Sequence, residues 1–123
     1  MEYFKNKILK TKIKYHKGLS KERWFQLGLM EQLANIGTEI GRAIDWRKKN
    51  NQEYSQKVFF RGLELLSLTI DDPKNQNHRL KELCRLYEVL GDYFFGDNEY
   101  KSTDELWEKY FYQFNYAVRN LNI

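Results

Sequence analysis

The chain predicts an all-α fold, an up-down-up-down four-helix bundle with a basic, extended N-terminal arm, and three observations predict it. Apolar residues recur three and four apart in four separate stretches, the spacing that lines one face of an α-helix. Only seven glycines and one proline occur in 123 residues, so little interrupts those stretches. The breaks that do occur, at Asn50-Asn51, Asp71-Asp72-Pro73 and Gly96-Asp97-Asn98, fall between the stretches. Amphipathic helices joined by short turns become antiparallel neighbours.

The first helix is predicted from Ser20 to about Lys49. Ser20 suits the N-cap, Glu22 the positive end of the dipole, and Arg47, Lys48 and Lys49 the negative end. Leu29, Leu33, Ile36, Ile40 and Ala43 form one apolar row, with Leu27, Met30, Ala34, Gly37, Gly41 and Ile44 beside it. An arc that wide needs more than one neighbour, and Gly37 and Gly41 would let another helix approach closely. A second helix runs to about Ile70 through Val58, Phe59, Leu63 and Leu66, and stops because the residue before Pro73 is pushed out of the α region. The third spans about Asn75 to Phe95 with Leu80, Leu83, Tyr87, Leu90 and Phe94 on one face. Ser102-Thr103-Asp104-Glu105 matches a capping box opening the fourth, whose stripe is Trp107, Phe111, Phe114 and Val118.

Residues 1–18 form the arm and 19–123 the bundle. The arm holds Lys5, Lys7, Lys10, Lys12, Lys14 and Lys17 against Glu2, a net of +5, so the whole-chain charge of +4 leaves the rest at −1. Alternation from Ile8 to Tyr15 reads as a strand or an extended tail. Because the arm adds nothing to the four apolar stripes, the bundle is expected to fold without it. Extended, the arm would set Lys10, Lys12 and Lys14 on one side at about the phosphate repeat of a single nucleic-acid strand, with Tyr15 beside them to stack on a base.

The composition excludes several classes. Cys84 is the only cysteine, so no intramolecular disulfide forms, and a buried inert thiol is the simpler reading of it. The N-terminal residues carry no signal-peptide pattern and no stretch is apolar enough for a membrane span, so the expected location is cytoplasmic, away from membranes. His16 and His78 are the only histidines, and no Glu is followed by His three residues later, as a di-iron bundle requires. Neither histidine completes the R-x(4–6)-H motif of the small helical RNases of the HEPN class. Phosphate-cradling glycine loops and a calcium loop are also missing from the sequence. No enzyme activity, cofactor or metal is expected.

Three sets of residues are candidates for binding. Glu39, Arg42 and Arg61 sit within or beside apolar arcs and are expected to form a polar cluster, most simply a structural ion pair. Lys10, Lys12, Lys14, Lys17, Arg47, Lys48 and Lys49 are the candidate phosphate contacts, although Arg47, Lys48 and Lys49 also serve as dipole partners at a helix end. Phe60, Tyr112 and Tyr116 lie off the apolar stripes and are the candidate interface. These sets predict a non-enzymatic interaction module, a homo-oligomer or binder of a protein partner; the alternative is an accessory protein holding RNA or DNA through the arm.

Glu31-Gln-Leu-Ala-Asn-Ile-Gly37, Leu63-Glu-Leu-Leu-Ser-Leu-Thr-Ile-Asp-Asp72, Asp92-Tyr-Phe-Phe-Gly-Asp-Asn98 and Ser102-Thr-Asp-Glu-Leu-Trp107 resemble a group of short prokaryotic all-α proteins. That group is usually described only as uncharacterised. The resemblance covers the helical body and not the arm, and implies a compact single domain without lending any residue a role.

Overall fold

The computed structural model describes residues 11–121, and among them every regular element is helical. These are α1 (Lys21–Phe25), α2 (Leu29–Lys48), α3 (Gln52–Asp71), a 3-10 turn (Pro73–Asn75), α4 (Arg79–Phe95) and α5 (Asp104–Leu121). Four of the helices are long. Helix α2 packs against α3 and α5, and α4 packs against α3. Lys5, Lys7 and Lys10, with the first three residues of the anticipated strand, lie outside the described residues; Thr11 to Gly18 form no strand.

The expected first helix is two helices, and the reason is tertiary. Ser20 does cap, its Oγ accepting from the Arg23 N–H at 3.2 Å. But Trp24 is buried, its indole Nε1 donating to Thr69 Oγ1 at 3.1 Å, and its carbonyl accepts from Gln32 Nε2 at 3.1 Å. A continuous helix would give that carbonyl to the N–H of residue 28. Instead the chain turns, Gly28 takes an extended conformation as N-cap, and α2 restarts at Leu29.

Gln32 also donates to Asp72 Oδ2 at 2.8 Å, while Asn75 Nδ2 donates to Gln32 Oε1 and to the Thr69 carbonyl. The three side chains are fully enclosed and mutually satisfied, the condition under which buried amides specify a packing instead of weakening it. Asn75 is held there instead of opening the third helix, so α4 starts at Arg79 and not near residue 75.

The α2–α3 turn is set by two asparagines. Asn50 adopts φ 63°, its N–H donates to Arg47 O, and the Asn51 N–H donates to Trp46 O, the Schellman pattern that closes a helix. Asn51 then caps α3, its Oδ1 accepting from Tyr54 N–H at 3.1 Å. At the other end of the chain, the cap of α5 is Thr103, one residue later than the capping box suggests. Thr103 Oγ1 accepts from Leu106 N–H at 3.1 Å, and Ser102 instead exchanges two hydrogen bonds with Asn98.

The core is built around α3, which is buried without a gap from Gly62 to Ile70. Ile36, Ile40, Ala43 and Ile44 of α2 meet it on one side, and Leu83, Cys84 and Leu90 of α4 belong to the same cluster. Each large aliphatic side chain enclosed this way contributes about 1.5–3 kcal/mol. Gly37 does what its sequence position suggests: a Cβ there would lie 2.6 Å from Phe111 Cβ, so α5 closes on α2 only because no side chain intervenes. Gly41 meets nothing within 4 Å and opens a groove instead.

Candidate functional site

The arm docks. The curved backbone at Lys14, Tyr15 and His16 turns three successive N–H groups onto the carboxylate of Glu64, at 2.7, 2.8 and 2.9 Å. The His16 ring adds Nδ1 at 3.0 Å from Oε1. Burial alone would raise the pKa of Glu64, but the Tyr15 and Lys14 amides, then the His16 ring and amide, outweigh it and hold the carboxyl below its usual range. Two turns further along α3, Asp71 faces Thr11 and Lys21, whose Nζ is 3.7 Å away. There burial prevails and the pKa is raised, with the neighbouring Thr11 and the Lys21 charge opposing it.

Docking has a consequence on the outer surface. The Tyr15 ring lies nearly parallel to Phe60, at 6.2 Å between centroids and 5° between planes. Phe60 in turn stacks on Phe95 at 5.1 Å and 20°. The row crosses the arm, α3 and α4, and each ring is more than a third exposed. Lys12 and Lys14 are exposed beside it, with Lys14 Nζ 5.4 Å from the Tyr15 ring centre, and Lys17 is exposed further along the chain.

The other candidate cations are placed differently. Arg47 Nη2 bonds Asp104 Oδ1 at 2.7 Å, and its guanidinium lies 4.7 Å and 4.6 Å from the Tyr93 and Phe94 ring centres. The Tyr93 hydroxyl donates to the same Asp104 oxygen; burial, then that hydrogen bond, push its pKa up to about 12. Lys48 pairs with Glu108 at 3.2 Å, which raises its pKa, and Lys49 Nζ sits 5.1 Å from the Trp46 ring centre. Arg47 and Lys48 thus tie α2 to α5, whereas Lys12 and Lys14 are exposed and unlike them border the Tyr15–Phe60 surface.

The structure brings Glu39, Arg42 and Arg61 together. Glu39 Oε1 lies 3.5 Å from Arg61 Nη2 and 3.9 Å from Arg42 Nη1, too far for good hydrogen bonds. Glu39 Oε2 and Arg61 Nε are buried without a hydrogen-bond partner.

On α5, Tyr112 and Tyr116 are more than half exposed and stack at 6.4 Å and 30°. Tyr112 is also on the rim of the groove opened by Gly41, about 180 Å³ and floored by Ile44, Trp107 and Phe111. Phe60, grouped with these two by sequence, belongs to the arm surface instead.

Sequence reasoning missed Glu64. Its signal was present, an acid within the apolar run Leu63-Glu64-Leu65-Leu66, but its partners are backbone amides that no residue type announces. Among the described residues no His, Cys, Asp and Glu gather in a group of three able to hold a metal, and no helix is long and apolar enough to cross a membrane. The chain matches no family model, no curated protein and no solved structure. The site therefore rests on its geometry alone.

Proposed function

We propose that the chain is a non-enzymatic interaction module, an up-down-up-down bundle of α2 to α5 that self-associates through the outer face of α5. The carrying observation is the stacked Tyr112–Tyr116 pair, exposed to water on a helix whose opposite face holds Trp107, Phe111 and Phe114 in the core. Tyrosine is enriched in interfaces because it contributes a large rigid area with a polar tip.

A two-fold axis at Tyr112 gives the contact a register. Glu105, Tyr112 and Arg119 are seven apart along one stripe of α5, so antiparallel α5 helices set Glu105 opposite Arg119 of the second copy. The groove beneath Gly41 is large enough to receive an aromatic side chain of the second copy.

Sedimentation velocity tests this reading. The 15.0 kDa chain is expected to sediment as a dimer in the micromolar range, and Tyr112→Ser with Tyr116→Ser to return it to a monomer with unchanged helical circular dichroism. A wild-type monomer at every concentration would remove the proposal.

A further inference from the structure

We propose that the row Tyr15–Phe60–Phe95 is a stacking platform for single-stranded nucleic acid, with the arm lysines holding its phosphates. The surface is distinct from the α5 face and does not depend on self-association.

Three observations converge. First, the three rings come from three separate elements yet lie nearly parallel, 6.2 and 5.1 Å apart, each partly open to water. A partly exposed row of near-parallel rings can be extended by unpaired bases, whose stacking tolerates any sequence. Second, the cations border the rings. Lys12 and Lys14 line a groove of about 250 Å³ with Thr11, Tyr15 and Phe60, and the exposed Lys57 lies one turn before Phe60 on α3. Third, the one acid of that groove among the described residues, Glu64, is buried, and its charge is taken up by three amides and the His16 ring. It anchors Tyr15 in register with Phe60 without presenting a bare carboxylate to a phosphate.

This combination selects among polyanions. A duplex covers its base faces and would gain only from the lysines, and an acidic peptide would gain nothing from a parallel ring row. Binding is therefore weak, sequence-tolerant, steeper in salt than a neutral contact, and better for single strands than for duplex.

Fluorescence anisotropy with labelled oligouridine, oligothymidine and a DNA hairpin duplex tests it, on full-length protein at low and raised salt. Both single strands are expected to bind more tightly than the duplex. Phe60→Leu, which keeps the apolar area and loses the π-face, should weaken single-strand binding about tenfold, while Phe60→Tyr retains it. Lys12→Gln with Lys14→Gln should lower the salt slope by about 1.4 units, at about 0.7 per phosphate contact. Circular dichroism of each variant confirms that it is folded. The proposal is overturned if no strand shifts the anisotropy at low salt, or if duplex binds as tightly as single strands. It is equally overturned if Phe60→Leu binds as wild type while the lysine variant weakens, since that describes a cationic tail and no stacking.

Discussion

Glu64 and Glu39 are equally buried, at 8% exposure each, and the protein treats them in opposite ways. Both oxygens of Glu64 are occupied, by three backbone amides and a histidine ring between 2.7 and 3.0 Å. Glu39 shares one oxygen between two arginines at 3.5 and 3.9 Å and leaves the other without a hydrogen bond. The difference lies in the donors. Backbone amides of a docked segment are fixed once the chain is placed, and hydrogen bonds to a charge are among the strongest a protein makes. Arginines at the edge of a helix pair must be immobilised for each contact, and Arg42 and Arg61 remain partly in water. A buried carboxylate stabilises this fold where rigid donors converge on it, and contributes little where only long cations reach it.

That contrast sets the largest expected effect at Glu64. Glu64→Ala removes four donors' common acceptor and should cost about 2–3 kcal/mol in urea unfolding. Deleting residues 1–18 should cost a similar amount, against the expectation from the apolar stripes that the bundle folds unaided. The two changes should be strongly non-additive, because each abolishes the same contact. Additive losses would mean that Glu64 stabilises α3 without the arm.

An acid titration of stability sharpens the comparison. The folded pKa of Glu64 is depressed, so the unfolded state binds its proton first. Its contribution is full above the unfolded value, near the ordinary glutamate pKa, and is lost as pH falls through the depressed folded value. Asp71 has the opposite sign: its folded pKa is raised, so its contribution is greatest below the ordinary aspartate value and disappears as pH rises through the raised one. Glu64→Gln should therefore flatten the acid limb of a stability–pH curve, and Asp71→Asn should raise stability near neutral pH. Failure of the first to change the acid limb would mean the carboxylate is not held by the arm.

The smallest effect belongs to Glu39. Replacing it with Gln should change stability by less than about 1 kcal/mol, since a neutral amide relieves the unpaired oxygen while losing a weak ion pair. A loss of several kcal/mol in the same urea series would place Glu39 alongside Glu64 and erase the distinction.

What was legible in the sequence follows the range of the interactions. The four long helices and the breaks at Asn50-Asn51, Asp72-Pro73 and Gly96 were readable because periodicity and turn chemistry act within a few residues. The Glu39–Arg61 approach was readable because helical spacing puts both residues beside the apolar arcs that must meet. The break at Gly28 was not, because the Gln32 side chain that holds the Trp24 carbonyl is itself held by Asp72 and Asn75, some forty residues away in the chain. The arm's docking was the least legible. Its contacts join backbone groups to a carboxylate some fifty residues away, and an amide N–H has no sequence signature. The aromatic row depends on that docking, so Phe60 could be singled out as unusual while its partnership with Tyr15 could not.

The most direct test of the account is amide hydrogen exchange at Lys14, Tyr15 and His16, resolved by NMR in wild type and in Glu64→Ala. All three amides are expected to be protected in wild type at neutral pH. Their protection should fall together in the variant while the amides of α3 between Leu63 and Ile70 stay slow. Exchange of the three wild-type amides at free-peptide rates, or protection unchanged by Glu64→Ala, would contradict it.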